Sequence, residues 1–313
     1  MRTAGEPGCV VGIVLCTVAT IMRLVLSIGA ATTVLMLAGC GGGEADDAGS
    51  TVVVTSTILG DVVAEVVGDA ADVEVLLPIG ADPHEFAPST RQAEAMAAAD
   101  LLVVNGGGFE AGLEDAVERA EDGGTPVFTA TEHTDLLDDD PHIWTDPTRM
   151  VPVVDALADS LVDAGLDEGG IRQRASDYTD ALREVDGEID TLLAPIPADD
   201  RVLVTNHEVL AYFADRYGFE VVGSVIPSLT TGAEPSAADL EALAEVIGEK
   251  GVRAVFAETS SPTRLAEAIA DASGDDVEVV TLFTESLGEP GSGAETYLDL
   301  LRTNASLVEG ALQ

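Results

Sequence analysis

The chain has only four histidines in 313 residues, and two of them occupy the same tripeptide. Asp82-Pro83-His84 and Asp140-Pro141-His142 repeat a rare residue in one setting. A third, His207, stands in Thr205-Asn206-His207, directly after the apolar run Val202-Leu203-Val204. Imidazole is the commonest protein ligand for transition metals, and a neighbouring proline fixes the backbone beside it. Three histidines so placed point to one metal site assembled from distant parts of the chain. Three imidazoles leave a fourth position, which an enzyme keeps open for water and a binding protein closes with its own ligand. Glu285, in Leu282-Phe283-Thr284-Glu285-Ser286-Leu287, is the candidate to close it. Glu258, at the end of the run Arg253 to Ala257, is the other candidate for that position, and is favoured instead as the acceptor for an imidazole N–H, a role that ligating histidines usually need filled. The fourth histidine, His133, precedes Asp138-Asp139-Asp140 and marks either a weak secondary cation site or a flexible acidic loop.

Apolar runs that alternate with helical patterns must position these residues. Strands are expected at 51–55, 73–77, 101–104 and 127–128, with helices at 58–67 and 91–99 between them. The pattern restarts with strands at 201–205, 221–225, 252–257 and 277–282, and helices at 207–217, 236–249 and 262–272. Such alternation implies two α/β halves, each a mainly parallel sheet with flanking helices. Ligands of open α/β sheets sit beyond the carboxyl ends of the strands. His84 follows the second strand through Pro78-Ile79-Gly80-Ala81. His142 lies in the loop that closes the first half, beside the only tryptophan. His207 is expected on the first turn of a helix whose buried face is Leu210, Phe213, Ala214 and Tyr217. These placements put the site between the halves.

A different segment separates the halves. Ile171, Ala175, Tyr178, Leu182, Val185, Ile189 and Leu192 are spaced 4-3-4-3-4-3. That is one apolar stripe on a helix of about 22 residues, roughly 33 Å long, ended by Pro195 and Pro197. Gly187 inside it costs about 1 kcal/mol relative to Ala, so packing must hold that turn.

The formal charge of −43 argues against a nucleic-acid partner, whose phosphates this surface would repel. Near the start, Met22-Arg23, an apolar stretch over 24–36 and Leu37-Ala38-Gly39-Cys40 describe a secretory signal. Cys40, followed by Gly41-Gly42-Gly43, resembles the bacterial lipobox, in which the cysteine is lipidated and becomes the first mature residue. Residues 1–39 are then a signal peptide with its true start at Met22, and 40–50 a tether. A mature chain with Cys40 alone has no disulfide and no cysteine metal site. The remaining divisions are a first lobe over 51–170, a linking helix over 171–196 and a second lobe over 197–313.

From about Thr51 onward the chain resembles the zinc/manganese solute-binding lipoproteins of bacterial ABC importers. Asp82-Pro83-His84-Glu85-Phe86 resembles their first metal motif, and Asp140-Pro141-His142-Ile143-Trp144-Thr145-Asp146-Pro147 their second. Asn206-His207-Glu208-Val209-Leu210-Ala211-Tyr212-Phe213 resembles the third. Glu234-Pro235-Ser236 and Val255-Phe256-Ala257-Glu258 resemble the segments that follow. Phe283-Thr284-Glu285-Ser286-Leu287 resembles the region that usually supplies an aspartate ligand, so glutamate is a departure here. The resemblance implies two α/β lobes joined by one long helix, with a metal ion held between them. It also implies an extracytoplasmic monomer, lipid-anchored to the cell membrane, that delivers its ion to an ABC permease powered by a separate ATPase. Zinc-binding members often carry a long His-rich loop before the second motif, which is short here. Manganese-preferring members tend to place Glu where His207 stands. Three imidazoles and one carboxylate form a softer set that suits Zn²⁺ over Mn²⁺, with Mn²⁺ as the alternative.

The same residues fit two other classes of protein. A zinc hydrolase would need an open metal position and a general base, and the sequence holds no His-Glu-x-x-His segment. A metal-binding surface adhesin differs only in having no permease partner.

Overall fold

The computed structural model describes residues 49–274 and 277–313. The expected signal peptide, the start at Met22, Cys40 and most of the tether lie outside the described residues.

The first half runs β1 (Thr51–Val54), α1 (Thr57–Val67), β2 (Asp72–Val75), α2 (Thr90–Ala98), β3 (Leu101–Val104), α3 (Glu114–Asp122) and β4 (Val127–Thr129). Two helices follow, α4 (Pro147–Asp163) and α5 (Glu168–Leu193). The second half runs β5 (Val202–Thr205), α6 (Ala211–Tyr217), β6 (Glu220–Ser224), α7 (Ala237–Lys250), β7 (Ala254–Glu258), α8 (Arg264–Ser273) and β8 (Glu278–Leu282). A last helix, α9 (Tyr297–Leu312), closes the chain.

Each half holds a four-stranded sheet in which all neighbours are parallel. The strand orders, β2-β1-β3-β4 and β6-β5-β7-β8, are the same order used twice. The central strands are near-continuous apolar runs because helices cover both faces of a parallel sheet. Thus β3, β5 and β7 are buried throughout, whereas edge strand β2 is largely exposed. Side-chain caps start the helices: Ser56 accepts from Leu59 N–H, Asp146 from Thr148 N–H and Asp167 from Gly170 N–H.

Helix α5 is the spine. At 26 residues it is about 39 Å long. Its buried stripe is Ile171, Ala175, Tyr178, Leu182, Val185, Ile189 and then Leu193, not Leu192. A straight α-helix drifts about 20° per heptad from a 3.5-residue repeat, so by the third heptad the next inward position falls one residue later. Gly187 stands on the exposed side of this helix. Helix α9 returns from the second half to pack on α5 and α1. One apolar core therefore runs from Val52 through the spine to Leu312.

Two further features differ from the expectations. Helix α6 begins at Ala211, so His207 lies in the turn between β5 and that helix rather than on a first helical turn. Helices α3, α4 and α9 are present where the apolar pattern did not mark them.

Candidate metal centre

The candidate ligands all follow sheet strands at their carboxyl ends. His84 follows β2, His142 follows β4, His207 follows β5 and Glu285 follows β8. The structure brings the four together: one ligand atom from each lies within 4.8 Å of every other. His84 Nε2 is 2.7 Å from Glu285 Oε1, His207 Nε2 is 3.3 Å from the same oxygen, and His142 Nε2 is 3.9 Å from it. His142 Nε2 and His207 Nε2 are 3.4 Å apart. Zinc bonds of about 2.0–2.1 Å in a tetrahedron put neighbouring ligand atoms about 3.3 Å apart, a value inside the measured spread. All four side chains are buried, although His84 rides on a partly exposed backbone.

Each ring is aimed by what its other nitrogen does. His142 Nδ1 lies 2.6 Å from Asp140 Oδ1, and His207 Nδ1 lies 2.5 Å from Glu258 Oε1. Both carboxylates leave the Nε2 atoms facing the site. Asp140 is a partner that the sequence reading missed. Its one signal is its place two residues before the ring in the repeated tripeptide. The turn holding His207 closes locally, with Thr205 Oγ1 donating to His207 O and Val209 N–H donating to the same oxygen. That closure delays the helix to Ala211.

The loops are pinned as well. Trp144 Nε1–H donates to Thr284 O at 2.6 Å, Leu287 N–H to Thr57 Oγ1 at 2.9 Å, and Ser260 Oγ–H to Glu285 Oε2 at 2.8 Å. Tyr212 Oη–H donates to Asp140 O at 2.6 Å, which ties α6 to the His142 loop. Asn105 Nδ2–H donates to Pro141 O at 3.0 Å. Buried Glu110 accepts from Asn105 N–H, Gly106 N–H and Thr55 Oγ–H, which holds the loop after β3 in place. Gly106 has φ of +82°, and a Cβ there would sit 2.3 Å from Thr129 Cγ2, so only glycine fits.

Charge is divided unevenly. Burial lowers the His142 pKa, and the opposing pull of Asp140 does not overcome it. Burial also acts to lower the His207 pKa, but hydrogen bonds to Glu258 and Glu285 outweigh it and push it up to about 10. Burial acts to raise the Glu285 pKa, yet the bonds to His207 and His84 hold its carboxyl well below the usual range. Without metal, His207 is an imidazolium between two carboxylates, and His142 is a neutral ring.

His133 is not part of this cluster. It stacks on Phe128 at 4.7 Å and 6°. The hollow it lines with Glu132 and Asp135 also contains Arg149, whose guanidinium opposes a second cation.

Two α/β lobes with three imidazoles and a carboxylate converging between them define a two-lobed protein built to enclose a metal ion. The sequence places it further: residues 52–311 match the family described as ZnuA, zinc-uptake complex component A periplasmic, and the chain belongs to that family. It is 32% identical over 291 residues to the manganese-binding lipoprotein MntA of Halalkalibacterium halodurans, covering 89% of this chain and 95% of that protein. It is 29% identical over 284 residues to the zinc-binding protein TroA of Treponema pallidum, covering 86% of this chain and 90% of that one. The solved structure of that periplasmic zinc-binding protein superposes with a TM-score of 0.78 over 84% of this chain and 99% of its own.

Proposed function

We propose that this chain is an extracytoplasmic solute-binding lipoprotein that captures one Zn²⁺ ion through His84, His142, His207 and Glu285. The observation that carries the reading is the convergence of these four buried ligand atoms at the seam of the lobes. Four protein ligands fill a tetrahedral zinc shell, which suits capture and not catalysis, where a position stays open. Three imidazoles favour Zn²⁺ over Mn²⁺. Mn²⁺ is the second reading, favoured by the hard carboxylate of Glu285 and by relatives named for manganese. In this reading the captured ion passes to an ABC permease served by a separate ATPase. Cys40 carries the lipid anchor after removal of residues 1–39, residues 40–50 form the tether, and the lobes divide at 51–170, 171–196 and 197–313.

Competition titrations against a chelator test the ligand set. His84→Ala and His207→Ala remove ligands from different lobes and each weaken Zn²⁺ binding by about two orders of magnitude or more. Glu285→Ala weakens it less, because water replaces a carboxylate. His133→Ala leaves it at the wild-type value, and equal losses for His133→Ala and His84→Ala sink the assignment. Metal analysis of protein purified without chelators separates zinc from manganese.

A further inference from the structure

The two Asp-Pro-His segments share one backbone device and then diverge. In each, the aspartate Oδ1 accepts the backbone N–H of the histidine two residues on, at 2.9 Å in both cases. Asp140 Oδ1 also pairs with the ring of its own histidine. Asp82 does not. Its Oδ2 accepts Thr231 Oγ1–H from the second half at 2.6 Å, and His84 Nδ1 is buried with no partner among the described residues. A buried ring N–H without an acceptor carries a desolvation penalty that the other two rings avoid. His84 is therefore the least supported of the four ligands. It is also carried on residues 76–89, which contain neither helix nor strand.

The other ligands are fastened. Asp140 and Tyr212 hold the His142 loop, Glu258 holds His207, and Trp144, Thr57 and Ser260 hold the Glu285 segment. On the His84 loop, Gly80 N–H donates to Ser286 Oγ at 2.8 Å near the start, and Phe86 packs into the first-half core near the end. The part between them is restrained across the cleft at two points, Asp82 by Thr231 and the His84 ring by Glu285. A cavity of about 540 Å³ opens on that side, lined by Glu85, Asn206, Thr231, Glu234 and Arg264 among others. Glu85 and Asn206 are the chain neighbours of His84 and His207.

We infer that Thr231 is a latch: its hydroxyl, bonded to Asp82, holds the His84 loop against the second half and sets the rate at which the ion leaves along this edge. The inference rests on the metal-capture reading above and deepens it. Thr231 is a positioning residue that acts through Asp82 and does not touch the ion. When the bond opens, the loop swings away with His84, and the ion is left on three fastened ligands and open to a receiving site.

Stopped-flow release of Zn²⁺ from the loaded full chain to an excess of chelator tests the latch in Thr231→Val, which keeps the shape, and Thr231→Ser, which keeps the hydroxyl. Release speeds up by about tenfold in Thr231→Val, the effect of losing one hydrogen bond to a charged group. Thr231→Val lowers the melting temperature of the metal-free protein by a few degrees, because the same bond is present there, and Thr231→Ser returns both the melting temperature and the release rate to wild-type values. Release in Thr231→Val within twofold of wild type overturns the latch, as does a Thr231→Ser variant as fast as the valine. Wild-type protein that takes up neither Zn²⁺ nor Mn²⁺ overturns the capture reading itself, and so tells that failure from a failure of the latch alone.

Discussion

The two halves use the same strand order but prepare their histidines differently. In the first half, His142 is supported from two residues away by Asp140, and burial keeps the ring neutral. In the second, His207 is supported by Glu258, 51 residues away, and faces Glu285 as well, so the metal-free ring holds its proton up to a pH of about 10. One half offers a lone pair in advance. The other offers an imidazolium that must release its proton as the ion enters. Both rings are buried, but His207 is bonded to two carboxylates, whereas His142 is bonded to one and lies beside the His207 ring, which opposes a second positive charge.

The largest effect that bears on this contrast is loss of either ring. His142→Ala and His207→Ala each weaken Zn²⁺ binding by about two orders of magnitude or more in chelator competition. Only His207→Ala also lowers the melting temperature of the metal-free protein markedly, because it leaves Glu258 buried without its cation and Glu285 with His84 as its one remaining ring partner. Equal melting temperatures for the two variants break the comparison.

Next in size is pH. Below about 10, ion entry displaces the His207 proton, so apparent Zn²⁺ affinity falls about tenfold per unit as pH is lowered, or about a hundredfold from pH 8 to 6. Metal-free stability has the opposite sign. The folded pKa lies above the ordinary 6.5, so this histidine's contribution is complete below pH 6.5 and is lost as pH rises towards 10. Calorimetry in buffers of different ionisation enthalpy counts the released proton, and a count of zero at pH 7.5 contradicts the imidazolium.

A smaller effect sharpens the comparison. Asp140→Asn and Glu258→Gln each weaken binding by about tenfold through loss of ring support. Glu258→Gln alone also flattens the pH dependence, because it removes one of the two carboxylates that hold the His207 proton. Affinity-against-pH curves for the two variants that keep parallel slopes argue against this division.

Much of this was legible in the chain. The ligands stood out because histidine is rare here and two share a tripeptide, and the alternating pattern put three of them at strand ends. The ring partnership of Asp140 is not legible in the tripeptide alone, because Asp82 in the same setting bonds Thr231 and not its own ring. The Asp82–Thr231 bond spans 149 residues and leaves no local trace. Helix α4 escaped notice because Pro147 and Pro152 disturb its start: the first occupies a tolerated opening position, and the second removes a hydrogen bond inside the helix. Helix α6 starts at Ala211 and not at the expected 207 because Thr205 and Val209 fold the stretch around His207 into a turn.

Trp144 gives the fold an optical consequence. It is the only indole in the sequence, it is 2% exposed, and its ring centre lies 5.4 Å from that of His142. Its N–H is bonded to the carbonyl of Thr284, the residue before Glu285. A movement of the Glu285 segment therefore reaches a single chromophore with no competing emitter of its kind. Intrinsic fluorescence at 295 nm excitation should report ion entry without a label, with emission shifted to short wavelength by the dry surroundings and changing in intensity in step with occupancy.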